Sequence, residues 1–242
     1  RRQEILDDIT DTVGATFIRG AGGVGKPTFR QLDVYGGDLE IQPIKLLRIE
    51  GEYASTQWRD VTGHGTDNVK ANDKTAWDGK VIIPIGKLEL NGQYRRIGPD
   101  FDAPGNWGKI GRWFNPTDIE GYGGGLRYPF TSRLSLVGEG HLYKIIGARA
   151  NDIIHYKAGL RFGLTSSNSV DLGAEVVDWE PAVGAKNRER YYNVGFGHNF
   201  NANTSWKVLY QYIVYKAGDF ANVGPAFDYN GGVAVTEFSV KF

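Results

Sequence analysis

The feature that most restricts this chain is a period of two. Across most of its 242 residues, apolar side chains alternate with polar ones, and Gly, Pro, Asn and Asp interrupt the pattern at short intervals. In residues 153–164, Ile154, Tyr156, Ala158, Leu160, Phe162 and Leu164 fall on one side of an extended chain, and His155, Lys157, Gly159, Arg161 and Gly163 on the other. Leu88, Leu90, Gly92 and Tyr94 likewise oppose Glu89, Asn91, Gln93 and Arg95, and Leu47, Ile49, Gly51 and Tyr53 oppose Arg48, Glu50 and Glu52. Trp206, Val208, Tyr210, Tyr212 and Val214 oppose Lys207, Leu209, Gln211 and Ile213. Such spacing specifies strands with one apolar face and leaves no room for long helices.

Strands are predicted at about 11–20, 29–42, 45–60, 74–84, 87–98, 119–129, 132–145, 153–164, 169–179, 189–200, 205–216 and 231–242. Their connections alternate in length. Short ones fall at 42–45, 84–86, 129–132, 165–168 and 201–204, and long ones at 21–28, 61–73, 99–118, 146–152, 180–188 and 217–230. Tight turns at one end and longer loops at the other describe an up-and-down barrel, whereas a Greek-key sandwich has no reason for the alternation. An even strand number puts both termini on the short-turn side. In 29–42 the apolar parity switches from Leu32 and Val34 to Leu39 and Ile41, for which a β-bulge at Gly36-Gly37 would account.

The apolar face carries aromatics near both strand ends. Tyr128, Phe130, Phe162, Phe200, Trp206, Phe238 and Phe242 form a band at the short turns, and Trp77, Tyr122, Tyr156, Tyr192 and Tyr212 one at the long loops. Two such girdles mark the water interfaces of a membrane barrel. Composition agrees. No apolar run is long enough for a spanning helix, and the mean hydropathy of −0.38 is tolerable only if the membrane is crossed by alternating strands of about 10 residues. Residues 11–242 are therefore expected to form an all-β transmembrane up-and-down antiparallel barrel of about twelve strands. Residues 1–10, RRQEILDDIT, form a linker or short helix; as a helix of about 15 Å they are too short to thread the pore as an autotransporter-type translocator would.

The ending Gly232-Val233-Ala234-Val235-Thr236-Glu237-Phe238-Ser239-Val240-Lys241-Phe242 resembles the C-terminal strand of bacterial outer-membrane β-barrel proteins. The resemblance implies that Phe238, Val240 and Phe242 act as the signal read by the barrel-assembly machinery. It also implies location in the outer membrane of a Gram-negative cell envelope, with both termini periplasmic and with contacts to the lipid bilayer and lipopolysaccharide. The same ending and Trp113-Phe114-Asn115-Pro116-Thr117-Asp118-Ile119 are similar to barrel domains that follow a periplasmic S-layer-homology domain and coiled coil. That narrower likeness implies an anchor for a periplasmic stalk.

Ionisable groups at membrane depth persist where they line water or pair with each other. Parity assigns Arg48, Glu50, Glu52, Asp78, Lys80, Glu89, Arg95, Arg127, Glu139, His141, Lys157, Arg161, Asp171, Glu175 and Lys207 to the lumen, along with Asp33, Glu237 and Lys241. These residues either line a narrow, weakly selective channel for small hydrophilic solutes or form a salt-bridged plug. The connection 99–118 is a candidate constriction through Trp107, Lys109, Arg112 and Trp113; alternatively it is an extracellular hairpin packed by its own tryptophans. Loops 61–73 and 217–230 are candidate receptor or adhesin surfaces.

Lys+Arg 28 balances Asp+Glu 28, so no nucleic-acid partner is expected, and Cys 0 excludes thiolate chemistry. Of four histidines, His64 lies in a loop, His141 and His155 face the lumen, and His198 faces lipid, none with a serine beside it. Catalysis as an outer-membrane phospholipase is therefore not expected, and the chain is read as no enzyme. Gly20-Ala21-Gly22-Gly23-Val24-Gly25-Lys26-Pro27 has Pro where a phosphate-binding loop needs Ser or Thr, and no helix follows. No cofactor or metal is expected.

Overall fold

Tight turns set the register of the sheet. Gly86, with φ 61°, and Lys87 form a two-residue connection in a backbone region that glycine adopts without steric cost. At the next turn Thr131 Oγ1 accepts the N–H groups of Arg133 and Leu134 at 3.1 and 3.0 Å, and Thr165 Oγ1 does the same for Ser167 and Asn168 at 3.1 and 3.0 Å. Asn201 Oδ1 accepts the Asn203 N–H at 2.8 Å in the turn that follows. Short polar side chains thus satisfy the backbone where the ladder reverses.

A computed structural model describes residues 2–4, 29–60, 73–101, 113, 116–146, 152–219 and 227–240. Its strands are Arg2–Glu4 (β1), Phe29–Ile44 (β2), Leu47–Asp60 (β3), Thr75–Ile85 (β4), Leu88–Ile97 (β5), Ile119–Pro129 (β6), Leu134–Ile145 (β7), Asp152–Gly163 (β8), Asn168–Glu180 (β9), Asn187–Asn199 (β10), Thr204–Lys216 (β11) and Tyr229–Val240 (β12). They form one sheet in sequence order, each strand antiparallel to the next. This is the up-and-down architecture of a β-barrel. The long strands from β2 to β12 fall where periodicity put them.

Two features differ from expectation. Arg2–Glu4 pairs with β2, Arg2 opposite Asp33, as a short strand and not as part of a helix. The strand expected at 11–20 lies outside the described residues, as do Gly20–Pro27. The ladder of β2 on β3 runs unbroken from Gln31↔Arg59 to Ile41↔Ile49, so there is no bulge at Gly36-Gly37; the shift falls at the turn, between Ile41 and Ile44. Val34 therefore keeps the parity of Asp38 and Glu40. Asp33, assigned to the lumen, instead shares the parity of Tyr35 and Leu39.

One face of the sheet is apolar and exposed, and carries Leu39, Ile83, Leu90, Leu126, Leu160, Leu172 and Val194. Phe130, Phe162, Phe200, Trp206 and Phe238 stand exposed toward its turn end, and Trp77, Tyr122, Tyr156, Tyr192 and Tyr212 toward its loop end, as two girdles require. Ion pairs ring the loop end beyond the aromatics: Arg96 with Asp73, Arg188 and Lys186 with Asp178, and Lys216 with Asp228. The buried residues gather on the opposite, concave face.

Glycines let that face close up. Gly121 and Gly123 on β6 point inward, where a Cβ at Gly121 would run into the Leu142 carbonyl oxygen and one at Gly123 into the His141 ring. His141 on β7 reaches across β6 to Gln93 on β5, with Nε2 2.9 Å from Oε1. We expect Gly121→Ala to lower the unfolding free energy by about 1–3 kcal/mol, because backbone must move. Gly92→Ala, where a Cβ meets nothing within 4 Å, should be near neutral. Urea midpoints of the refolded proteins check both.

Candidate functional site in the lumen

The concave face changes character along its length. At the turn end a cavity of about 630 Å³ is lined by Lys80, Glu89, Arg127, Glu139, Lys157 and Arg161, among others. Arg161 bonds Asp171 through Nε at 2.6 Å and Nη2 at 3.2 Å, and Arg48 bonds Glu50 at 2.9 Å. Among the described residues Lys80, Arg127 and Lys157 have no ion-pair partner, so both signs of charge face the cavity.

Deeper in lies a hydrogen-bonded polar layer. Asp78 receives Arg95 Nε at 2.6 Å and Nη2 at 2.5 Å, together with Gln93 Nε2. His155 Nε2 lies 2.9 Å from Glu175 Oε1, and Gln211 Nε2 donates to Asn193 Oδ1 at 2.8 Å. Every residue that parity placed in the lumen from Arg48 to Lys207 occupies the inward register. The three ion pairs just described, Arg48–Glu50, Arg95–Asp78 and Arg161–Asp171, and the His155–Glu175 hydrogen bond join cross-strand or same-strand neighbours on that face. Glu52 and Lys207 face inward outside these pairs.

At the loop end the lumen is filled. Trp113, Ile119, Tyr143, Ile153, Val177, Trp179, Tyr191 and Ile213 form one buried cluster. Its centre is Trp113, delivered by the long connection between β5 and β6. The Trp113 ring lies 5.6 Å from Tyr143, 5.2 Å from His155 and 6.2 Å from Trp179, centroid to centroid. The Trp113 backbone N–H donates to Glu189 Oε2 and to Tyr191 Oη, both at 3.2 Å. Glu189 is fully buried and also accepts the hydroxyls of Tyr191 and Tyr229, the latter at 3.0 Å. A carboxylate removed from water needs several donors, and these anchor the connection to the opposite wall.

This part of the connection therefore packs inside, not as an extracellular hairpin. Trp107, Lys109 and Arg112 lie outside the described residues, as do His64, Lys241 and Phe242. The apolar layer itself was not foreseen. Its signal was present in Ile153-Ile154, Val176-Val177, Tyr191-Tyr192 and Tyr212-Ile213-Val214-Tyr215, where alternation gives way to apolar residues on both faces.

No family model matches the chain, and no curated protein matches it either. Among solved structures it is similar to OmpT, an outer membrane protein of Vibrio cholerae. A mutant of OmpT lacking loop L8 matches with a TM-score of 0.50 and 14% identity, over 98% of this chain and 74% of that one. OmpT expressed in the outer membrane matches with 0.50 and 12%, over 98% and 75%. At such identities the likeness establishes the fold. The chain has the fold of an outer-membrane β-barrel.

The expectation that it is no enzyme is corrected here. Its match is an outer membrane protein recognised through fold alone, and a fold specifies neither transport nor catalysis. The expectation also rested on the lack of a serine beside any histidine; the lumen instead gives His155 a carboxylate and His141 a carboxamide as partners.

Two outcomes are expected. Glu189→Ala removes an acceptor shared by the Trp113 backbone N–H and two phenols, and should lower the unfolding free energy by about 2–4 kcal/mol, with Glu189→Gln costing less because it keeps an acceptor; tryptophan-monitored urea unfolding reads this. At the rim, the Lys216 ammonium and the Ala217 N–H hold the Asp228 carboxyl below its ordinary 3.8. At Asp73 burial opposes ionisation, but hydrogen bonds from Arg96 and Thr75 outweigh it and lower the pKa as well. Both groups are lowered on folding, so the stabilisation is complete above that ordinary value and is lost as pH falls through the lowered ones. The Ala217 amide shift in detergent-solubilised protein should titrate with a midpoint under 3.8.

Proposed function

We propose that the chain forms a narrow, weakly selective passive channel for small hydrophilic solutes across the bacterial outer membrane, with both chain ends periplasmic. The graded lumen carries this reading. A polar cavity lined by both signs of charge gives way to a buried layer that includes Trp113. Near-equal charge gives little preference between anions and cations. On this reading the aromatic girdles contact the bilayer and lipopolysaccharide, and Phe238, Val240 and Phe242 address the assembly machinery.

The same apolar layer favours a second reading, a sealed barrel that anchors a periplasmic stalk or displays its loops as a receptor. Single-channel conductance in a planar bilayer separates the two. The channel predicts a small steady conductance that rises in Trp113→Ala, which removes the central side chain of the closing layer. Silence in both proteins, with heat-modifiable gel mobility confirming the fold, would overturn the channel in favour of the sealed barrel.

A further inference from the structure

Gln93 fixes the protonation of its neighbour. Its Nε2 donates to both Asp78 oxygens, at 2.6 and 2.7 Å. A carboxylate only accepts, so the amide is oriented with Oε1 toward His141 Nε2, 2.9 Å away. That oxygen only accepts as well, so Nε2 carries the hydrogen, and in the neutral ring Nδ1 is a lone pair. The Glu175 carboxylate, 2.9 Å from His155 Nε2, imposes the same tautomer on the second histidine.

The two rings belong together. His141 and His155 are directly opposite in the β7–β8 ladder, with centroids 5.5 Å apart and planes 17° from parallel. They are only 5% and 8% exposed. Among the described residues nothing hydrogen-bonds to either Nδ1, and an orphaned buried acceptor is unfavourable.

We propose that His141 and His155 form a bis-imidazole site for a divalent transition-metal ion, bound through the two Nδ1 atoms. Imidazole that ligates a metal donates its other N–H to a carboxylate or amide oxygen, which orients the ring and raises its basicity. Glu175 and Gln93 already hold that position. Neutral nitrogen ligands select borderline ions such as Zn(II), Cu(II) and Ni(II) over Mg(II) and Ca(II), which require oxygen. Two nitrogens bound to one ion at about 2.1 Å each lie at most about 4.2 Å apart, so the site requires the two Nδ1 atoms to approach within that limit.

The surroundings suit a cation, because Asp78, Glu139 and Glu175 outnumber Arg95 and Lys157. Glu139 and Glu175 also line the turn-end cavity, giving an ion a route in. Both Nδ1 atoms are buried, and among the described residues no three acidic or histidine side chains gather as a metal-binding group, so the site has two protein ligands.

Copper(II) titrated into folded, detergent-solubilised protein tests the site by electron paramagnetic resonance. We expect one ion per chain with coupling to two imidazole nitrogens. His141→Gln and His155→Gln should each weaken binding at least about tenfold and reduce the coupling to one nitrogen, whereas the double variant H64Q/H198Q should behave as the parent. Absent coupling to two nitrogens, binding unchanged in H141Q and H155Q, or binding lost in H64Q/H198Q would overturn the proposal. The parent spectrum and H64Q/H198Q decide the matter even if H141Q or H155Q fails to fold.

Discussion

Lipid offers the backbone no hydrogen-bond partner, and the rest of this structure follows from that. Each N–H and C=O at membrane depth must be met by protein, which strands achieve by pairing with neighbours on both sides. Antiparallel pairing in sequence order does so with the shortest connections, and the ladder from β2 to β12 has no crossover. Side chains are then divided by parity alone. Whatever faces outward must tolerate hydrocarbon, and whatever must not face hydrocarbon turns inward. The charges on the outer face collect at the loop-end rim, where Asp178 is covered by Arg188 and Lys186.

That division explains what was legible in the sequence. The outer face is under one demand, so Ile154, Tyr156, Leu160 and Phe162 announce β8, and the turn residues around Gly86, Thr131 and Thr165 bracket their strands. The inner face is under several demands and reads less simply. Polarity at Lys157 or Glu175 identifies lumen, but Tyr143, Val177 and Tyr191 are equally inward, fully buried and uncharged. Parity tells which way a residue points and not what fills the space it points into. The bulge assigned to Gly36-Gly37 came from the same assumption, that an inward residue is polar. Val34 breaks that rule at the loop end, without any break in the ladder.

The contacts across the lumen were beyond any local pattern. Trp113 meets Glu189 and Tyr191 from a connection 76 residues earlier in the chain, and His141 meets Gln93 over a strand whose inward positions are glycine. Those glycines read as loss of alternation in Tyr122-Gly123-Gly124-Gly125, yet they are what lets side chains from β5 and β7 meet. A missing side chain on one strand is space for a side chain from the next.

The layers of the lumen also differ in what holds them. The turn-end charges are part-exposed, so their ion pairs exchange partners with water and ions at little cost, each worth on the order of 0–1 kcal/mol. The loop-end layer is held by buried apolar contact and by a carboxylate whose donors leave it no better alternative than its present place. Between them, His141 and His155 have one nitrogen satisfied and one not. A barrel selected only for stiffness would gain by replacing these two rings with apolar side chains of similar volume, since an unmet polar atom in a dry layer is a net cost. Their Nδ1 atoms, unmet among the described residues, are what the proposed metal ion would satisfy at the boundary between the wet and dry halves of the lumen.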